Sequence, residues 1–168
     1  MKKIFIILIS LLITNSAFAL ETPMKKLSKY FKNGELIKIS SYTSAKWPNG
    51  YMSIKDGSYK NNPIEVDAFI AFPKKGEGPF PVVMFAHASG GAALFTDEWF
   101  KFNRLAAKSL LKKGIGVMFL DNFSARGQKH TYKDQSTISH WSTVMDAFKA
   151  LEYLSKDPKA NIKKVGIA

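Results

Sequence analysis

The chain has 168 residues, 46% of them hydrophobic and 23% charged, with a formal net charge of +12 and no cysteine. This length suits one domain with a substantial core; the composition excludes general disorder, and the lack of thiols excludes disulfides and thiolate metal sites. The positive charge sits on lysines scattered in pairs such as Lys74-Lys75, Lys112-Lys113 and Lys163-Lys164, and Arg104 and Arg126 are the only arginines. That is the pattern of a solvated surface, not of a sequence-reading nucleic-acid face.

In chain order, residues 1–19 read as a secretory signal peptide. Lys2 and Lys3 form a basic start, residues 4–13 are almost wholly apolar, and Ala17-Phe18-Ala19 is a small-x-small cleavage site. The apolar run is too short for a membrane span, so none is expected after cleavage, and the protein is expected to be exported, periplasmic or secreted. Residues 20–35 are lysine-rich without clean periodicity and read as an N-terminal arm. Short strands are predicted at 36–42 and 51–55, and alternation over 64–72 predicts a half-buried strand.

Residues 81–86 form a continuous apolar run, which suits a strand covered on both faces. A helix is then predicted with Thr96 as cap, Asp97 and Glu98 in its first turn, Lys112 and Lys113 in its last, and Gly114 as terminator. Its buried stripe would be Trp99, Phe102, Ala106 and Leu110. Residues 115–120 are a second apolar strand, and 121–136 are a loop. A second helix follows at 137–155 with a stripe of Trp141, Met145, Phe148, Leu151 and Leu154, ended by Asp157-Pro158. A third strand begins at Val165. Strand, helix, strand, helix, strand predicts two βαβ crossovers, hence an α/β fold with a mainly parallel sheet, helices on both faces and antiparallel strands at the N-terminal side.

Ligands of such sheets gather beyond the carboxyl ends of the strands. The loops there are His87-Ala88-Ser89-Gly90-Gly91 and Asp121-Asn122-Phe123-Ser124-Ala125-Arg126-Gly127. Small residues after a buried strand let the backbone turn sharply and aim N–H groups at a ligand, as an oxyanion hole requires. Arg126 has two readings: a guanidinium fork for a substrate carboxylate, or a buried brace paired with Asp121. His130 and His140 read as surface residues, and the histidines offer no metal motif. No cofactor or metal is expected.

The segments "PFPVVMFAHASGG", "FLDNFSARG" and "KKVGIA", in this order and spacing, resemble the α/β-hydrolases of the dienelactone hydrolase type over residues 64–168. The resemblance implies a partial α/β-hydrolase fold in which His87 supports an oxyanion loop of His87, Ala88, Ser89, Gly90 and Gly91. Ala88 and Ser89 would donate backbone N–H groups, and Asp121 and Arg126 would form the rim or brace. Two departures stand out: Ala88 occupies a position where the family pattern has glycine, and no carboxylate lies between His87 and Phe95.

The resemblance further implies that "VGIA" opens a nucleophile elbow, with the nucleophile expected shortly after Ala168 and the acid and histidine beyond it. Residues 36–168 then read as the N-terminal part of a hydrolase domain, with no catalytic residue of its own and inactive alone. The implied activity is hydrolysis of a small-molecule ester, lactone or related acyl compound by a nucleophile–His–acid mechanism. The alternatives are an acyl-peptidase variant and a basic exported binding protein that keeps the scaffold without catalysis. The sequence sets no oligomeric state.

Overall fold

A computed structural model describes residues 21–44, 46 and 49–168; the signal peptide expected at 1–19 lies outside the described residues. Five strands form one sheet: β1 (Gly34–Tyr42), β2 (Pro63–Ala71), β3 (Phe80–Phe85), β4 (Gly116–Asp121) and β5 (Ala160–Ile167), in the order β1-β2-β4-β3-β5. β2 is antiparallel to both β1 and β4, whereas β3 runs parallel to β4 and to β5. The helices are α1 (Pro23–Ser28), α2 (Gly50–Lys55), α3 (Phe102–Lys112) and α4 (His140–Lys156). The expected α/β class, the two crossovers through α3 and α4, and the antiparallel N-terminal strands are all present.

The apolar runs behave as their physics requires. Every residue of β4 is buried, which is the condition of a central strand covered on both faces. Because successive side chains point to opposite faces, Val117 and Phe119 enter one core while Met118 and Leu120 enter the other. Phe69 and Phe85 join the first core, and Ile70 and Met84 the second. The first core is closed by Met24 and Leu27 of α1, Phe31, Phe95 and Ala107 of α3. The second is closed by Ala150 and Leu154 of α4.

Five expectations need correction. Within the supposed arm, 23–28 is helical: Thr22 accepts a hydrogen bond from the Lys25 N–H, Pro23 occupies the first turn, and Met24 and Leu27 are fully buried. Two apolar positions three apart are too few to register as periodicity. The strand expected at 51–55 is α2. Only six residues separate Asn49 from Asp56 there, and a helical turn closes its backbone hydrogen bonds internally, whereas a strand needs a sheet edge.

The third correction concerns α3, which starts at Phe102 rather than near Thr96, and whose stripe is rotated. Arg104 is buried, and its Nη1 donates to the carbonyls of Phe95 and Asp97, each at 3.0 Å. This anchor turns Arg104 and Ala107 inward and leaves Trp99 92% exposed, with Phe102 and Ala106 also outside. In α4 only Leu154 of the expected stripe is buried; the inward face is Ser142, Asp146, Ala150 and Leu154, four residues apart at each step. Trp141 and Phe148 lie outward. β5, finally, begins five residues before Val165.

Candidate functional site

β3 and β4 end side by side, and both loops predicted from the sequence sit at these carboxyl ends. They border a cavity of about 430 Å³ lined by His87, Ala88 and Ser89 from the first loop and Asn122 and Phe123 from the second. Its apolar wall includes Val144, Phe148 and Leu151 of α4. No lysine, arginine, aspartate or glutamate lines it among the described residues. In a protein of net charge +12, this is a neutral chamber.

His87 organises the first loop. Its Nε2 accepts the Asn122 backbone N–H at 3.1 Å, and its Nδ1 stands 3.0 Å from the Ala88 carbonyl. A backbone N–H can only donate, so Nε2 carries the lone pair and Nδ1 the proton, which it donates to Ala88. The ring also packs edge-on against Phe123 and Phe95. Burial holds the His87 pKa below the usual imidazole value; the hydrogen bond to Ala88 and the carboxylates of Asp121 and Asp146 oppose this.

The two carbonyls at the centre of the loop are committed. Ala88 also accepts the Gly91 N–H at 2.9 Å, and Ser89 accepts the Thr131 N–H at 2.7 Å. Across a trans peptide the C=O and the following N–H point in opposite directions. The tied carbonyls therefore fix the Ser89 and Gly90 N–H groups, which have no acceptor among the described residues, nor does the Ala88 N–H. Gly91 makes the tight turn possible: its φ is +79° and ψ 179°, a region essentially reserved for glycine. A Cβ there would lie 1.9 Å from the Lys129 carbonyl oxygen.

The second loop corrects the Arg126 reading. Asp121 is fully buried but does not pair with Arg126. Its carboxylate accepts the Phe123 and Ser124 N–H groups and the Ser124 hydroxyl, capping the turn that follows β4. The partner of Arg126 is Asp146 on α4, gripped through both guanidinium ends at 2.7 and 2.8 Å. The remaining N–H groups go to the Asn122 and Tyr42 carbonyls and to Thr43 Oγ1. All five donors of the guanidinium are thereby committed, which leaves no fork for a substrate carboxylate. Sequence reasoning missed Asp146. Its signal was a lone acid in the first half of α4, spaced by four from small Ser142 and Ala150, the residues that let this face approach the sheet closely.

His140 is exposed and lines the cavity. His130, expected at the surface, is half-buried: its ring stacks on Tyr132 at 3.9 Å, and its Nδ1 is buried without a partner among the described residues. Among the described residues no serine hydroxyl is bonded to a histidine ring, and no group of three or more potential ligands could hold a metal ion. No helix among them is long and apolar enough to cross a membrane.

The sheet order, with its antiparallel second strand and a small-residue loop leaving β3 beside the cavity, decides the architecture. This is a partial α/β-hydrolase fold. No family model and no curated protein matches the chain. Among solved structures it is similar to a protein assigned as a dienelactone hydrolase from Klebsiella pneumoniae, 13% identical, over 80% of this chain and 48% of that one, with a TM-score of 0.49. It is similar also to a dienelactone hydrolase from Anabaena variabilis (16% identical, 80% of this chain and 51% of that one, TM-score 0.45). An esterase from Pyrobaculum calidifontis is 16% identical over 84% of this chain and 37% of that one, with a TM-score of 0.43. The chain thus spans about half the length of the Klebsiella and Anabaena proteins and 37% of the esterase.

Proposed function

We propose that this chain supplies the oxyanion-loop half of an exported ester hydrolase. The observation that carries the reading is the 87–91 loop: its Ala88 and Ser89 carbonyls are tied back into the protein, and its Ser89 N–H is fixed beside a neutral cavity with no acceptor among the described residues. Preorganised N–H donors of this kind stabilise the oxyanion that forms when a nucleophile attacks an acyl carbon, and in a water-poor site they need no rearrangement at the moment of reaction.

In the proposed mechanism a serine or cysteine provided after Ala168 attacks the acyl carbon, and its proton passes to a histidine held by an acid, both also beyond Ala168. The carbonyl oxygen, now negative, is received by the Ser89 N–H. Collapse of the intermediate expels the alcohol, which takes the proton from that histidine, and water then hydrolyses the acyl-enzyme. His87 takes no part as base, because its Nε2 lone pair is engaged by Asn122 and its Nδ1 proton by Ala88. With no Lys, Arg, Asp or Glu lining it among the described residues, and with the Arg126 guanidinium fully committed, the cavity suits an uncharged acyl compound rather than a carboxylate-bearing lactone.

The test is hydrolysis of p-nitrophenyl acetate and butyrate by the product of the reading frame continued past Ala168, with fluorophosphonate or iodoacetamide labelling of the nucleophile. Turnover with labelling within a few residues of Ala168 is expected; a folded product without turnover or labelling refutes the reading. Export is tested separately: the mature protein should begin at Leu20.

A further inference from the structure

An unbroken series of hydrogen bonds leads from the interior of α4 to the cavity. Asp146 Oδ2 accepts the Asn122 side-chain amide at 2.8 Å. The backbone N–H of the same Asn122 donates to His87 Nε2, and His87 Nδ1–H donates to the Ala88 carbonyl. That carbonyl sets the plane of the Ala88–Ser89 peptide, hence the direction of the Ser89 N–H. Asp146 is fully buried and Asn122 nearly so, so neither has freedom to choose another geometry.

We propose that Asp146 is a positioning residue for the Ser89 N–H, acting through Asn122 and His87. Its catalytic meaning rests on the hydrolase reading above, whereas the coupling from Asp146 to His87 is a property of this chain alone. The carboxylate has two separable branches. Oδ1 accepts the Ser41 hydroxyl at 2.6 Å and one Arg126 N–H, and this side stitches β1 to α4. Oδ2 accepts Asn122 and the other Arg126 N–H, and only this side leads to the loop. A purely architectural Asp146 would treat the branches alike; a positioning Asp146 would not. A ring nitrogen's state is set by the bond its partner nitrogen makes, so His87 reports on the second branch directly. The charged groups that act on His87 are Asp121 from the end of β4 and Asp146 from α4, and the rings of Phe95 and Phe123 complete its surroundings.

The experiment reads the imidazole nitrogens by ¹⁵N NMR across a pH titration of the mature protein, from Leu20 through the reading frame continued past Ala168, in the parent, Asn122→Ala and Ser41→Ala. Asn122→Ala cuts the link to Asp146 but keeps the backbone N–H; Asn122→Ser, which loses less volume, is run beside it. The bond from Asn122 N–H exists only while the ring is neutral, so loosening it favours protonation. The His87 midpoint is expected to rise by about half to one pH unit in both Asn122 variants, the equivalent of one weakened hydrogen bond. Ser41→Ala removes a buried bond to the same carboxylate and is expected to leave that midpoint in place. An unmoved midpoint in the Asn122 variants, or an equal move in Ser41→Ala, overturns the proposal.

In the protein continued past Ala168, Asn122→Ala should lower kcat by roughly tenfold with KM little changed, since the donor matters most to the charged transition state. A shifted His87 in a protein that hydrolyses no ester would uphold the coupling and sink the hydrolase reading. Ester turnover with an unmoved His87 would do the reverse.

Discussion

Replacing Arg126 with lysine is the sharpest probe of how the second loop is held. The guanidinium makes hydrogen bonds to Asp146, to the carbonyls of Asn122 and Tyr42, and to Thr43 Oγ1, using all five of its donors. Lysine keeps the charge but offers three donors from a single point. It can hold Asp146 and at most one or two further acceptors, so about two are left unmet. An unmet buried acceptor costs about 1–3 kcal/mol, which gives an expected loss of about 2–6 kcal/mol. The Arg126 side chain is 4% exposed and that of Asp146 is fully buried, so solvent screening does little to soften this. Urea unfolding followed by tryptophan fluorescence should show the midpoint falling by a molar or more at an unchanged slope, for a slope of about 1–3 kcal/mol per molar. Arg126→Lys within about 0.5 kcal/mol of the parent would refute the reasoning, and would reopen the possibility that Arg126 is available to a substrate.

Three further outcomes are expected. Gly91→Ala should displace the 87–91 loop, because the residue is confined to a glycine-only conformation and its Cβ would meet the Lys129 carbonyl; a loss of about 1–3 kcal/mol or more in thermal unfolding is expected, and a neutral result would mean the turn is misassigned. Stability should fall on acidification below about pH 6.5, the ordinary imidazole value, because the unfolded chain takes up the His87 proton before the folded one does. His87→Gln should flatten the urea midpoint between pH 7 and pH 5.5, and an unaltered slope would remove His87 as the cause. Leu27→Ala should cost about 2–5 kcal/mol in urea unfolding, since α1 buries this side chain fully in the first core; if 23–28 were a loose arm, the substitution would change nothing.

What the sequence disclosed followed from how local each signal is. β3 and β4 were legible because a run of consecutive apolar residues has few uses other than a strand covered on both faces, and the two loops followed from where those strands end. The phases of α3 and α4 were not legible, because apolar periodicity assumes that the greasiest stripe faces inward. Here buried polar residues override it: Arg104 turns toward the carbonyls of Phe95 and Asp97, and Asp146 toward Arg126. Asp121 looked like the partner of Arg126 because it stands five residues away; the actual partner is twenty residues on, and Asp121 serves the turn beside it. The resemblance implies His87 as a loop support, but its tautomer follows only from the position of the Asn122 N–H. The helix at 23–28 failed to register because one and a half turns carry too little pattern.

The Arg126–Asp146 pair also has a temporal consequence. Its hydrogen bonds reach Tyr42 and Thr43, more than eighty residues back, and Ser41 meets Asp146 across 105 positions. Contacts of such sequence separation carry the largest loop-closure entropy and reward the chain only after the intervening elements have docked. The β3–α3–β4 unit and the β1–β2 pair draw on contacts close in sequence, whereas the bonds from the far end of β1 to α4 carry the larger closure entropy. The turn from Asp121 to Arg126 closes largely on itself, so the contacts that tie it to β1 and α4 are the ones with the most chain to bring together.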